Sequence, residues 1–505
     1  MIAPKPETEG DTAPGGIIVP SFADRFRVRE PIKVLKEEDK KRIHEAALEV
    51  MESVGVRIHS HMAKESLKRA GARVDDGTSI VRFPKGLVSS LISKVPRNIV
   101  LAGREKEFDL PLDGRHCYYT TDGCGISVWD QARRTRRLSV MQDIVDSAII
   151  ADWLPHLSIY EPMVVPSDIP RNAHVVSSVK ESFDITRKHV TSESTSNAME
   201  AKAQIKMAAE VVGGMEELRK RHILSAMVCT MSPLTLDEHA TDAGMVWAEA
   251  HVPVHITGMA MMGVSSPATF AGNLVVNHAE TLAFVAAMQA HEPGSPAIYG
   301  SVLSNVDPRT GAIQLSSPEG VILCGSANEM AKFVHMPSYG GMGTNAKTLG
   351  AQSCLENGMI AMYCALMGQE VNNGIGMLDC STVLSYEQMI IDEEIVGRTL
   401  KSAQEIEVSK DSLHLDMIKD VGILGMGAKK GSFLGERATM KEVREFYQSL
   451  LFSSEPFDKW EARGRKDDFA LAKEKADWIL KNHVPVRLDR DILSGLDRIA
   501  KDATS

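Results

Sequence analysis

Tyrosine is scarce in this chain of 505 residues, with eight copies. Four of them, Tyr119, Tyr160, Tyr299 and Tyr339, fall at or near the ends of short apolar runs of strand character, and the carboxylates Asp122, Glu161, Glu193 and Asp379 stand close to such ends. An aromatic face attracts a cation by ~0.5–2 kcal/mol per ring. Aromatic walls with carboxylates nearby therefore suit a cationic ligand, above all a quaternary ammonium. Tyr119, Tyr299 and Tyr339 are the expected cage walls, with Asp122, Glu161 and Asp379 balancing the charge. If the ligand also carries a carboxylate, Arg309 or Lys347 is expected to bind it. The competing explanation is ordinary packing, because tyrosine is at home in strands.

Other chemistry is weakly signalled. Gly340-Gly341-Met342-Gly343-Thr344 follows a strand-like run and precedes a helical one. It is neither GxGxxG nor GxxxxGK[ST], but such glycines let backbone approach a large ligand closely; a tight turn explains them equally. Gly123 and Gly125 raise the same question. There is no HExxH and no Cys or His pair at ligand spacing, so no metal site is expected. Cys117 and Cys124 are expected to be inert thiols, and His239, His255 and His278 ordinary core or surface histidines. Asp237-Glu238-His239 resembles the start of the cobalt-ligating DxHxxG loop, yet lacks its glycine spacing, so Asp237 is better taken as a helix N-cap. The run Arg133, Arg134, Arg136, Arg137 is expected to be a solvated loop, with a docking patch for an acidic partner as the alternative.

Positioning these residues requires a sheet with helices between its strands. Strand-like runs at His116–Thr121, Leu157–Val165, His189–Glu193, His222–Cys229, Val254–Met259, Ala297–Val302, Met336–Gly340 and Asn373–Leu378 are each followed by a helical run. Eight strand–helix units over some 290 residues predict an α/β chain forming a (β/α)8 TIM barrel with helical N-terminal and C-terminal extensions, whose active site lies where strands end. An open doubly wound sheet is the runner-up. The expected organisation is a disordered tail over 1–20, a helical N-terminal region over 21–110, the barrel over 111–407 and a helical C-terminal region over 408–505, broken at Leu424-Gly425 and Gly431.

Composition agrees. Hydrophobic residues make up 43% and charged residues 25%, which supports a full core. A net charge of −10 argues against nucleic acid or an anionic membrane as partner. Seven cysteines without a CxxC pair argue for reduced thiols and a cytoplasmic location. No run approaches the length of a membrane span.

Long segments carry a resemblance. Ile43 to Ile58 ("IHEAALEVMESVGVRI") and Ala70 to Ile92 ("AGARVDDGTSIVRFPKGLVSSLI") resemble the N-terminal signature of the trimethylamine:corrinoid methyltransferase family. "MSPLTLDEHA" (Met231 to Ala240), "VSSPATFAGNLVVNHAETLAF" (Val264 to Phe284), "LSYEQMIIDEEIVG" (Leu384 to Gly397) and "KKGSFLGERATMKEVREFY" (Lys429 to Tyr447) are similar to it as well. The resemblance implies a barrel that moves a methyl group from a methylamine to Co(I) of a cobalamin (corrinoid) held by a cognate partner protein, with none bound permanently. Gly341, Gly343 and Asn345 are then expected to meet that corrinoid. Every position is one of the standard twenty residues, which implies the branch without pyrrolysine, a branch that includes glycine betaine methyltransferases. The family's Asp-Ser-Lys element after the seventh strand reads Asn345-Ala346-Lys347 here, a lost carboxylate that bears on substrate choice. A homo-oligomer is expected. The rival expectations are a metal-dependent barrel methyltransferase and a non-catalytic barrel that binds osmolytes or a corrinoid protein.

Overall fold

The computed structural model describes residues 22–29, 31–192, 197–341, 343–423 and 432–504. The expected tail over 1–20, Glu193, and the helix breaks at Leu424-Gly425 and Gly431 lie outside the described residues. Eight parallel strands form the central sheet: β1 (Tyr118–Tyr119), β2 (Ile159–Tyr160), β3 (His189–Ser192), β4 (Leu224–Cys229), β5 (Val254–Gly258), β6 (Ala297–Ser301), β7 (Ser338–Gly341) and β8 (Val371–Asn373). β8 pairs with β1, and a parallel bridge between Thr120 and Ile159 joins β1 to β2, so the sheet closes on itself. Among the described residues a long helix follows each strand: α1 (Met141–Trp153), α2 (His174–Ile185), α3 (Ala198–Val212), α4 (Glu238–Glu249), α5 (Phe270–His291), α6 (Pro318–Phe333), α7 (Ala351–Met367) and α8 (Tyr386–Ser402), with a short further helix, Met215–Lys220, between α3 and β4. This is the eightfold α/β barrel that the alternation predicts.

Local sequence explains the starts of these helices. Asn197 caps α3, its side chain accepting from the amides of Met199 and Glu200, while Glu200 reaches back to the Asn197 amide. Asp237 caps α4 through the Ala240 amide, as its position before a helical run requires. The helix α5 is buried along almost its whole length because it has a layer on each side. The barrel packs on one face, and the N-terminal helices Glu37–Ser53, His61–Ala70 and Leu87–Ile92 pack on the other.

The N-terminal region is not purely helical. Val56–Ile58, Arg73–Asp75 and Ile80–Arg82 form a small sheet, and Val56–Ile58 also pairs with Thr235–Leu236 from the loop after β4. Runs of three residues are too short to show a strand period, which is why only the helices were foreseeable. The C-terminal helices Asp468–Asn482 and Arg490–Thr504 lie on the outside of the barrel, against α1 and α8 and against α2 and α3.

Over the carboxyl end of the barrel lies a second sheet of four short strands, in the order Met377–Leu378, Val383–Leu384, Ser127–Asp130 and Thr135–Leu138. The arginine run is thus part of a hairpin: Arg137 forms a two-pronged pair with Asp143 at the start of α1, and Asp143 also accepts from Tyr386 at the start of α8. The eighth strand differs from expectation. It is Val371–Asn373, while Met377–Leu378 belongs to the rim sheet. Gly374 and Gly376, both with positive φ, turn the chain out of the barrel between them.

Candidate active site

In a strand, successive side chains point to opposite faces. In the barrel, one face is the lumen and the other is the layer beneath the helices. This parity decides where each expected site residue goes.

Tyr119 points into the helix layer. Its hydroxyl donates to the Ala361 carbonyl of α7 at 3.2 Å, beside Cys117. Tyr299 points the same way on β6, where Asn277 Nδ2 and His278 Nδ1 of α5 meet its hydroxyl at 3.1 and 3.0 Å. Tyr160 is anchored to Ser147 and the Ile144 carbonyl of α1. Tyr339 alone of the three expected walls points inward. Its ring stands edge-on to His255 at 4.8 Å between centroids, its surroundings include Glu161, Asp122, Cys229 and Cys124, and its hydroxyl meets no partner among the described residues. The expectation of three tyrosines lining one pocket is therefore corrected: strand parity puts Tyr119 and Tyr299 behind the barrel wall.

Asp122 and Glu161 are brought together with Tyr339 at the carboxyl mouth. Glu161 follows Tyr160, so it turns inward; Thr121 Oγ1 both donates to its carbonyl and accepts from its amide, at 2.7 Å each. Burial raises the Asp122 carboxyl above its ordinary range, against hydrogen bonds from Ser381 and the Gly123 amide that hold it down. Cys124 lies next to them, with Sγ 3.3 Å from the Ser381 carbonyl and 3.7 Å from Asp122 Oδ1. It touches solvent but is crowded by protein, and that burial, then the charges of Asp122 and Glu161, push its thiol well up. Such a thiol is a poor nucleophile. The described residues contain no cluster of three His, Cys, Asp or Glu able to hold a metal ion.

Asp379 lies outside this group. It sits in the rim turn Asp379-Cys380-Ser381, whose three residues all have positive φ, and it is paired with Lys347 and with Arg136 at 3.6 Å. Lys347 also donates to the Asn345 carbonyl. Arg309 is exposed and closed on Asp307, with Nη2–Oδ2 at 2.8 Å. Neither expected carboxylate binder is among the lumen groups, because each already serves an aspartate at the rim.

Of the glycine loop, Gly341 faces the lumen, where an added β-carbon would come within 2.7 Å of Asn373 Oδ1. Gly343, with φ +156°, approaches Leu315. The Asn345 side chain is already engaged: it donates to the Ile313 carbonyl and to Cys380 Sγ, and accepts from the Leu315 amide. It ties the loop after β7 to the loop after β6.

The lumen also holds polar residues that the sequence did not assign to the site, among them His255, expected as an ordinary core or surface histidine and found fully buried. His189, Thr191, Ser225 and His255 form a connected group, and Thr120, Thr257 and Asn373 each keep one buried oxygen without a partner among the described residues. A signal existed in the alternation of "HVTS" and "VHITG", which places His189 with Thr191, and His255 with Thr257, on one face. Burial draws both histidines down to about 3, so they are neutral at pH 7.

Compared with known families, residues 19–503 match the model described as trimethylamine methyltransferase (MTTB). The chain belongs to the trimethylamine methyltransferase family. Among curated relatives, the trimethylamine methyltransferase MttB of Desulfitobacterium hafniense is 32% identical over 91% of this chain and 92% of its own. MttB1 of Methanosarcina acetivorans is 31% identical over 92% and 93%. A glycine betaine methyltransferase, also from Desulfitobacterium hafniense, is 29% identical over 91% and 94%. Among solved structures, the monomethylamine methyltransferase of Methanosarcina barkeri covers 92% of this chain at 15% identity, with a TM-score of 0.48.

Proposed function

We propose that this member of the family takes its methyl group from a quaternary amine and passes it to Co(I) of a corrinoid carried by a separate protein. The observation that carries the reading is the inward-facing Tyr339 beside Asp122 and Glu161, an aromatic face with two carboxylates at the carboxyl mouth of the barrel. The chain consists of the standard twenty residues throughout, and one relative is named for a quaternary amine.

The chemistry follows from the charge. A quaternary ammonium is already cationic, so loss of a methyl group releases a neutral tertiary amine without a general acid. The Tyr339 face and the carboxylates of Asp122 and Glu161 replace part of the water that the cation gives up. Once the methyl has left, the amine is neutral and that attraction ends, which favours release. The barrel wall holds the C–N bond in line with the mouth and excludes bulk water, so catalysis rests on orientation and electrostatics. When docked, the corrinoid supplies Co(I) as the nucleophile. The mouth suits a protein partner: Ile126, Met231, Met259 and Val264 on loops after strands, and Phe270 at the start of α5, are large apolar residues exposed there.

The test is methylation of Co(I) cobalamin, free or on a corrinoid protein, followed by its visible spectrum. Quaternary amines are expected to react and trimethylamine to lag. Faster turnover of trimethylamine than of any quaternary amine would overturn the proposal.

A further inference from the structure

The hydrogen bonds beneath Tyr339 fix a tautomer. His189 Nδ1 lies 2.9 Å from the Ala102 carbonyl. A carbonyl only accepts, so Nδ1 carries the proton, and in the neutral ring Nε2 is an acceptor. The Ser225 hydroxyl, 2.8 Å away, must therefore donate to His189 Nε2. Its oxygen is left to accept, from Thr191 Oγ1 at 2.9 Å and from His255 Nε2 at 3.0 Å. His255 is thus the Nε2–H tautomer, and its Nδ1 is a bare acceptor. That atom is fully buried and has no hydrogen-bond partner among the described residues. It stands beside the Tyr339 ring, two residues below Thr257 on β5 and therefore roughly 6–7 Å deeper in the lumen.

The orientation of a ligand is constrained from above. A methyl group can leave only toward the open mouth, so the ammonium head stays near Asp122, Glu161 and Tyr339, and the rest of the molecule must extend downward. What it meets there is neutral: His255, Thr257, Ser225 and Thr191. No Lys or Arg stands among these lumen groups, and the rim cations Arg136, Lys347 and Arg309 are held by Asp379 and Asp307. The undescribed residues that directly follow β3 and β7, 193–196 and Met342, are neither Lys nor Arg. Among the described residues, a carboxylate tail would be buried without a counter-ion, which is costly. A hydroxyl would give Nδ1 the donor it lacks.

Resting on the quaternary-amine reading, we propose that the substrate is a short ammonium alcohol of the choline type, not a betaine, and that His255 is the specificity-determining residue. Ser225 is a positioning residue, since it holds His255 in the accepting tautomer.

The experiment is calorimetric binding to the full chain without corrinoid, using choline, tetramethylammonium and glycine betaine as probes. The wild type is expected to bind choline about tenfold more tightly than tetramethylammonium, the worth of one buried hydrogen bond, and glycine betaine more weakly than either. His255→Phe should bring choline down to the tetramethylammonium level, while His255→Asn, which keeps an acceptor near the Nδ1 position, should retain part of the preference. The melting temperature of each variant reports whether it is folded, and in His255→Phe the loss of affinity should be larger for choline than for tetramethylammonium. Glycine betaine binding as tightly as choline, or a choline preference that survives in His255→Phe, would overturn the inference and leave the quaternary-amine reading standing. Failure of all three probes to bind the wild type would sink both.

Discussion

The two faces of the barrel wall treat the same residue type in opposite ways. On the outer face, Tyr119 and Tyr299 are tied to α7 and α5 and have their hydroxyl groups engaged. On the inner face, Tyr339 is as deeply buried, yet its hydroxyl has no partner among the described residues and it stands near carboxylates and a neutral histidine. Buried polar groups are normally hydrogen-bonded. A wall that satisfies its polar groups on one side and leaves several unsatisfied on the other holds itself together from the outside and keeps its inner side for a ligand.

The contrast can be broken by mutation. Tyr299→Leu would leave His278 Nδ1 and Asn277 Nδ2 without their shared partner and open a gap beneath α5, so stability should fall by about 2–4 kcal/mol. Denaturant unfolding measures this, and the affinity of the folded fraction for tetramethylammonium should stay the same. Tyr339→Leu should weaken tetramethylammonium binding by ~0.5–2 kcal/mol and should cost less stability than Tyr299→Leu, because it opens a gap but strands no hydrogen-bond partner; Tyr339→Phe should be milder. Equal behaviour of the two tyrosines in both assays would erase the distinction between the faces.

The buried histidines sharpen it through pH. Their folded values of about 3 lie below the ordinary 6.5. Native-state protonation is disfavoured, so the stability they contribute is present above pH 6.5 and is lost as pH falls from there toward 3. Over the first unit of that fall each can remove at most about 1.4 kcal/mol. Melting curves between pH 6.5 and 5.5 should therefore show a shallower loss for His255→Asn than for the wild type. At the rim, Asp379→Asn breaks only partly exposed ion pairs with Arg136 and Lys347, and about 0–1 kcal/mol of stability is expected to go, with tetramethylammonium affinity unchanged.

Much of this architecture is legible in the residues. The alternation of short apolar runs with helical ones marks all eight units, and seven of the eight strands fall within the expected runs or within a residue of them. The exception is instructive: Met377 and Leu378 look more strand-like than Val371–Asn373, and only the turn forced by Gly374 and Gly376 hands them to the rim sheet. What the residues did not reveal is parity. A shift of one position reverses which face a side chain takes, so "near the strand end" could not separate Tyr339 from Tyr119 and Tyr299. The same ambiguity hid His255, whose surroundings depend on three other strands. The family resemblance found the chemistry class but not these placements, because they depend on distances between segments far apart in the chain.

The central claim is that the lumen selects a permanent positive charge beside Tyr339, Asp122 and Glu161. Its most direct measurement is a calorimetric comparison of choline with its uncharged carbon isostere, in which a tert-butyl group replaces the trimethylammonium at nearly equal size. The two differ in charge alone, so a pocket built on apolar shape would bind the isostere at least as well. This account predicts that choline binds at least about tenfold more tightly, a difference of ~1.4 kcal/mol that a desolvated cation–π contact supports, and that Tyr339→Leu narrows the gap. Equal or tighter binding of the isostere would contradict it.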